Sequence, residues 1–159
     1  TSTDLTDTTD GSNITFNGTL VTPTLTTATQ GYNVDLLGGS TITNDTSFLN
    51  TGTTTIGNDA GDSSTFTGGL DATAGAVSIA GTIATTNTAM DLGATTISDD
   101  STINPAGGAV TLAAVTLNDA KTLIVGTGNT GAISFGSTID SAAGGTGNLT
   151  INTDATATF

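Results

Sequence analysis

Asp59 and Asp62 are the two residues whose type and spacing best suit chemistry, and that chemistry is the binding of calcium. They lie in the segment Gly57-Asn58-Asp59-Ala60-Gly61-Asp62. It is similar to the G-G-x-G-x-D-x-U-x nonapeptide, in which carboxylate and main-chain oxygens of successive turns hold Ca²⁺. The segment lacks the paired glycine and has no tandem copy, so a loop rich in Asx turns is the interpretation that we favour. Calcium at Asp59 and Asp62, stiffening a fold that survives without it, is kept as the hypothesis for a metal site.

Asp99 and Asp100 form a second pair of carboxylates. As sequence neighbours they would point to opposite faces of a strand, so we expect them in a corner loop. Paired carboxylates can hydrolyse glycosides, but such sites also need a cleft with aromatic platforms. Tyr32 is the only tyrosine, tryptophan is absent, and most phenylalanines follow the alternating apolar pattern. We therefore predict that the protein is not an enzyme and has no catalytic residues and no cofactor, calcium apart.

The composition excludes further classes of function. The chain has no His and no Cys, and its single base, Lys121, stands against 14 acids that are all Asp, giving a net charge of −13. These absences remove the imidazole base, the thiolate, the Cys/His metal cluster and the guanidinium clamp. Nucleic acid and anionic membrane surfaces would be repelled, and no apolar run reaches the roughly 18 residues needed to span a bilayer. We expect neither nucleic-acid binding nor membrane insertion.

Threonine and asparagine form motifs with two interpretations each. The 40 threonines include Thr-x-Thr spacings that a flat ice-binding array would use, but the spacings wander, so outward threonines selected for strand propensity are the better account. Asn-x-Thr sequons occur at Asn13, Asn17, Asn44 and Asn148. Such matches arise by chance in a threonine-rich chain, and we interpret these asparagines as side chains stacked along a rod.

Strands, not helices, must position these residues. The dominant residues Thr, Gly, Asn, Asp and Ser all disfavour helix interiors. Apolar residues two positions apart recur in short bursts that Gly, Asn and Asp interrupt. Most bursts lie roughly 20 residues apart, and two longer gaps leave room for unrecognised copies.

This period predicts an all-β fold, a right-handed parallel β-solenoid (β-helix) of about seven or eight irregular coils of roughly 20 residues. Apolar side chains of successive coils would stack inside, threonine would face outward, and Gly, Asn and the two prolines, Pro23 and Pro105, would mark corners. The predicted inward ladder consists of Ile14, Phe16, Val34, Leu36, Val77, Ile79, Val110, Leu112, Ile133, Phe135, Leu149 and Ile151.

Two other structures compete with the solenoid. Disorder is disfavoured because the apolar positions are periodic. An antiparallel β-sandwich is disfavoured because its hairpin turns are scarce, with Asn17-Gly18 as the only Asn-Gly and Asp10-Gly11 as the only Asp-Gly. We expect residues 1–159 to be a single solenoid segment, an interior fragment of a longer repeat chain, in which residues 1–10 are frayed or belong to a preceding coil.

The segment from Gly131 to Asp140 (GAISFGSTID), followed by Gly147 to Thr153 (GNLTINT), resembles the repeats of very large bacterial surface proteins. These are the filamentous-haemagglutinin-like adhesins and autotransporter passengers, which are β-strand repeat proteins. Residues 11–20 and 75–83 have similar phrasing. The resemblance implies a secreted β-solenoid shaft on a bacterial surface, and it supplies no catalytic residues.

We therefore expect a non-catalytic structural shaft of a secreted bacterial cell-surface adhesin or extracellular filament. Its expected partners are like subunits or further repeats of the same chain, added head to tail, together with host or surface glycans. A glycan- or calcium-binding solenoid module and a phage fibre shaft remain the alternatives. Open strand ladders at both ends would favour the shaft, whereas capped ends would favour a self-contained binding module.

Overall fold

The computed structural model, which describes all residues from 1 to 159, contains strands and turns and no helix. Every strand pairing is parallel. The polypeptide winds through three faces in a fixed order, and one coil consists of one strand segment on each face. The antiparallel sandwich is therefore excluded, and the β-solenoid of about eight coils is confirmed.

The first face contains β2 (Asn13–Phe16), β5 (Asn33–Leu36), β8 (Thr54–Ile56), the first halves of β11 (Val77–Thr85) and β13 (Thr95–Asn104), β15 (Val115–Leu117) and β18 (Ile139–Ser141). The second face contains β3 (Leu20–Thr22), β6 (Ser40–Ile42), β9 (Ser63–Phe66), the second halves of β11 and β13, β16 (Thr122–Asn129) and β19 (Asn148–Thr153).

The third face contains β1 (Ser2–Leu5), β4 (Thr24–Thr27), β7 (Thr46–Ser47), β10 (Leu70–Ala72), β12 (Met90–Leu92), β14 (Val110–Leu112), β17 (Ile133–Phe135) and β20 (Ala157–Thr158). Its regular ladder is interrupted between β4 and β7. There the hydroxyl of Thr27 accepts a hydrogen bond from the main-chain nitrogen of Leu49 at 2.6 Å. A side chain thus substitutes for main-chain pairing at this step.

The predicted inward residues all contact one core, but they belong to three ladders rather than one. The first face holds the first six residues of the predicted ladder, which are Ile14, Phe16, Val34, Leu36, Val77 and Ile79. The third face holds Val110, Leu112, Ile133 and Phe135, and the second face holds Leu149 and Ile151. The sequence pattern strand–Gly–strand does not identify a face. In residues 13–20 it spans the corner between the first and second faces, but in residues 133–139 it spans the corner between the third and first faces. Equivalent residues are identified by the strand register instead, as in Ile79 opposite Ile97.

The two long gaps in the repeat pattern are occupied by coils whose inward position is threonine. Thr54 stacks between Val34 and Val77, and Thr95 stacks between Val77 and Val115. The expectation that threonine faces outward is wrong for these two and for several others, all buried: Thr22, Thr27, Thr46 and Thr85. Most of these hydroxyls bond a neighbouring main-chain oxygen, as Thr95 does to Gly93 at 2.9 Å. The methyl group can then join the core at little polar cost.

Corners are made by residues that tolerate tight turns. Gly39 and Gly81 precede the second face with φ of +77° and +75°, and a Cβ on either would press against the main-chain oxygen of Ser63 or Asp62 in an adjacent coil. Only glycine combines that conformation with so close an approach. Pro23 and Pro105 both follow a strand of the second face, so their predicted corner positions are confirmed.

The first ten residues are not frayed. Strand β1 pairs in register with β4 over four residues, so this segment forms the third face of the first coil. In the turn that follows, Asp7 accepts hydrogen bonds from the nitrogen of Thr9 at 2.9 Å and the hydroxyl of Ser12 at 2.7 Å. These two bonds hold the pKa of Asp7 below its usual value.

Candidate functional sites: acidic corners and open ends

Asp59 and Asp62 lie in the corner between β8 and β9, where their carboxylates bond the main chain of the same loop. Asp62 Oδ2 accepts from the nitrogens of Asn58 at 2.8 Å and Asp59 at 3.0 Å, and Asp59 Oδ1 accepts from Gly61 at 2.9 Å. The side-chain amide of Asn58 is oriented so that Nδ2 donates to Asp62 Oδ2 at 3.0 Å and to the carbonyl oxygen of Leu37 at 3.1 Å. The favoured Asx-turn loop is therefore present.

The same geometry limits what this loop offers a cation. One oxygen of each carboxylate already accepts hydrogen bonds, and no group of three or more acidic side chains in the structure is arranged to hold a metal ion. Calcium ordinarily takes six to eight oxygen ligands, so most of them would have to come from water and from carbonyl groups of the main chain. Calcium at Asp59 and Asp62 stays a prediction.

Asp99 and Asp100 lie at the corner between the first and second faces, as expected, but within the bend of strand β13 and not in a loop. Asp99 Oδ1 lies 2.7 Å from Lys121 Nζ, and Asp100 Oδ1 accepts from the nitrogen of Thr122 at 2.8 Å. The hydrogen bond from Lys121, followed by that from the nitrogen of Asp100, holds the pKa of Asp99 below its usual value. The same ion pair raises the pKa of Lys121. Both carboxylates thus join one coil to the next.

A shallow groove of about 410 Å³ on the third face is bordered by three aspartates, and sequence reasoning missed it. Asp71 and Asp91 are directly opposite in the register of β10 and β12, and Asp45 borders the same groove. Asp71 Oδ1 accepts from the nitrogen and hydroxyl of Thr73 at 3.1 and 2.7 Å. No basic side chain lines the groove, so its aspartates have no cationic side chain to pair with. Register alone brings Asp71 and Asp91 together, since they are 20 residues apart in the sequence.

One of the predicted asparagine stacks is present in the first face. Asn33 Nδ2 donates to Asn13 Oδ1 at 2.7 Å, and Asn33 Oδ1 accepts from the nitrogen of Thr53 in the next coil at 2.7 Å. Asn44 instead donates to the hydroxyl of Thr24 at 2.8 Å. The side chains of Asn17 and Asn148 make no hydrogen bond, so stacking does not account for them.

The two ends of the solenoid are open. At one end β1, β2 and β3 each pair on a single side, and at the other end β18, β19 and β20 do the same. Inward apolar side chains are only partly covered there: Ile14, Phe16 and Leu20 at the first end, and Ile139, Leu149 and Ile151 at the second. Phe159 stacks on Phe135 with ring centroids 5.4 Å apart and remains 75% exposed.

Comparison of the sequence and the fold with family models, curated proteins and solved structures found no match. The structure holds no helix with the length and apolarity needed to cross a membrane. The adhesin resemblance therefore remains a prediction from the repeat phrases.

Proposed function

We propose that this protein is a non-catalytic structural shaft segment of a secreted bacterial cell-surface adhesin or extracellular filament. It lengthens by the addition of further coils head to tail, either as more repeats of one polypeptide or as like subunits. The single observation that carries the proposal is the pair of open ends, where main-chain donors and acceptors and half-covered apolar side chains lie together.

The open ends suit the addition of another coil. An unpaired strand edge is a template for a further strand, and exposed apolar groups beside it favour burial. A solenoid that works alone covers its end coils with polar caps. The residues at these ends are instead those of an ordinary coil, with inward side chains that match the ladders beneath them.

The direction of addition follows from the hydrogen-bond alternation. In β5 the nitrogen of Asn33 donates toward the first coil, to Ser12, and the nitrogen of Val34 donates toward the third coil, to Thr53. Asn13 is the register equivalent of Asn33, so β2 directs the main-chain groups of Asn13 and Thr15 to the open edge. By the same alternation β18 directs those of Ile139 outward at the other end. Parallel pairing of these two edges is a heterologous contact, which extends indefinitely rather than closing as a dimer does.

Charge opposes this contact at long range only. The protein has a net charge of −13, but at physiological ionic strength the Debye length is about 8 Å. Strand pairing acts across about 4.8 Å. Association should therefore increase with salt and as the pH falls toward the aspartate pKa of about 4.

A proline at the open edge tests the proposal. Thr15→Pro removes an N–H that faces away from the fold, a position where edge strands tolerate proline. Thr15→Val is its matched control, because both variants lose the hydrogen bond from Thr15 to Asp35 (2.9 Å) but only the proline loses the edge donor. Light scattering and electron microscopy should show filaments for the parent protein and Thr15→Val, and shortened or absent filaments for Thr15→Pro.

Two results would overturn the proposal. One is a parent protein that stays monomeric at millimolar concentration in high salt and at a pH of about 4. The other is Thr15→Pro filaments as long as those of Thr15→Val, with both variants showing the parental circular dichroism spectrum.

A further inference from the structure

Asn17 and Gly18 form the only Asn-Gly pair of the sequence. They lie in the corner between β2 and β3, in the first coil, and both are exposed. The side-chain amide of Asn17 and the main-chain nitrogen of Gly18 have no hydrogen-bond partner. The two buried asparagines differ, since Asn50 and Asn129 each engage their amide groups in hydrogen bonds.

The residues on either side of this pair are anchored to the second coil. The carbonyl oxygen of Phe16 accepts from the nitrogen of Leu37 at 2.9 Å, and the hydroxyl of Thr19 donates to the carbonyl oxygen of Gly38 at 2.9 Å. A Cβ placed on Gly18 would meet no atom within 4 Å. Main-chain atoms of Asn17 and Gly18 lie close to Gly38 of the second coil, but the nitrogen of Gly18 and the side-chain amide of Asn17 are not held by any hydrogen bond.

We propose that Asn17 is a site of spontaneous deamidation, by which the protein ages into an isoaspartyl form. The main-chain nitrogen of Gly18 attacks Cγ of Asn17, a new bond between these two atoms closes a five-membered succinimide, and the bond between Cγ and Nδ2 breaks. The proton from the Gly18 nitrogen leaves with the departing ammonia. Water then opens the ring at either carbonyl, which gives aspartate or isoaspartate at position 17, with no oxidation or reduction.

The product alters the open edge, a consequence that rests on the proposed function. The register of β2 and β5 ends at Phe16 opposite Leu36. Continued by one residue, it places Asn17 opposite Leu37, whose nitrogen donates toward the preceding coil, so the nitrogen of Asn17 extends the donor row that an added coil would meet. Isoaspartate inserts an extra carbon into the main chain at this point, and both products add a negative charge. Ageing at Asn17 should therefore block addition at this end and leave the other end unchanged.

Asn118 is the internal reference for the chemistry. Its side chain also makes no hydrogen bond and is half-buried in a corner of the same type, but Asp119 follows it. A side chain on the following residue hinders approach of the nitrogen, an obstacle that glycine lacks. Asn17 should therefore react first among the asparagines.

The chemical test uses the intact protein. Parent protein is incubated in warm, mildly alkaline buffer, then denatured and digested with chymotrypsin, which cuts after Phe16 and Leu20. Mass spectrometry should find the conversion of amide to carboxyl in the peptide from Asn17 to Leu20 before any change at Asn118, and isoaspartyl methyltransferase should label that peptide. Gly18→Ala, which fits the open space, should slow the conversion. Equal rates at Asn17 and Asn118, or no effect of Gly18→Ala, would overturn the proposal.

The assembly test separates this inference from the function on which it rests. Aged parent protein should lose filament growth in proportion to its isoaspartate content, whereas aged Gly18→Ala should assemble as fresh protein does. Fresh protein that never assembles contradicts the proposed function and leaves the deamidation result standing. Aged parent protein that carries isoaspartate and still assembles fully would refute the effect on the edge.

Discussion

Lys121 Nζ lies 2.7 Å from Asp99 Oδ1, and this contact is the one ion pair of the structure. It connects the bend of β13 with the start of β16 in the next coil. All other carboxylates must rely on amides, hydroxyls and water, because the sequence has no second cationic residue. The pairing of successive coils therefore depends on the main-chain ladder and the apolar core much more than on charge.

The ion pair predicts a specific pH dependence. The pKa of Asp99 is lowered by folding, so its contribution to stability is present above the usual aspartate value of 3.8 and is lost as the pH falls through the lowered value. The pKa of Lys121 is raised, so its contribution is present below 10.5 and is lost as the pH rises through the raised value. Lys121→Met should slightly lower the melting temperature between these limits and match the parent in strong acid. The effect is small because the side chains are 33% and 30% exposed. Lys121→Arg is the control, and a difference that persists in strong acid would contradict the assignment.

Gly81, at the corner before the second-face half of β11, should be irreplaceable. Gly81→Ala places a side chain at φ +75° and against the main-chain oxygen of Asp62. We expect the free energy of unfolding to fall by more than about 1 kcal/mol. Gly18→Ala, with open space around it, should change it little. Denaturant titration followed by circular dichroism measures both, and equal effects would show that the corner relaxes.

A buried hydroxyl without a partner should weaken the second face. Ser64 is 1% exposed and its Oγ makes no hydrogen bond, whereas Ser101 Oγ donates to the carbonyl oxygen of Asp99 at 2.7 Å. Ser64→Ala should raise the free energy of unfolding by about 1 kcal/mol, and Ser101→Ala should lower it by a similar amount. Thermal melting of the two variants beside the parent checks the opposite signs. Destabilisation by Ser64→Ala would reveal an unseen partner.

Calcium should be dispensable for the fold. The ladders provide the cohesion, so the protein should keep its strand circular dichroism spectrum and its cooperative melting transition in EDTA, as in a buffer that contains calcium. Asp62→Ala should lower the melting temperature even in EDTA, since it removes the acceptor of the Asn58 and Asp59 nitrogens. Unfolding of the parent by EDTA at neutral pH would instead show that an ion holds the corner.

Tryptic cleavage at the one peptide bond after Lys121 measures how firmly successive coils hold together. Lys121 is the only residue after which trypsin can cut, and the following nitrogen, of Thr122, is bonded to Asp100. The folded protein should resist trypsin, and denaturant should release two fragments, residues 1–121 and 122–159. Rapid cutting of the folded protein would mean that this corner opens without global unfolding.

The sequence alone determined the class of structure and the apolar residues of the predicted ladder. Ile14, Phe16 and the other predicted ladder residues all contact the core, because alternation has a period of two on any face and the composition excludes helix. The stacking of Asn13 and the corner positions of Pro23 and Pro105 followed from the same local rules.

Only the tertiary structure decided which face each strand occupies and which residues meet across coils. Alternation and corner glycines look alike on all three faces, so residues 133–139 could not be distinguished from residues 13–20 by pattern. Thr54 and Thr95 concealed two coils because a threonine methyl can fill an inward position when its hydroxyl has a partner. Asp71 meets Asp91, and Asp99 meets Lys121, through stacking alone. Those contacts join residues about one coil apart, and the variable length of each coil sets their register.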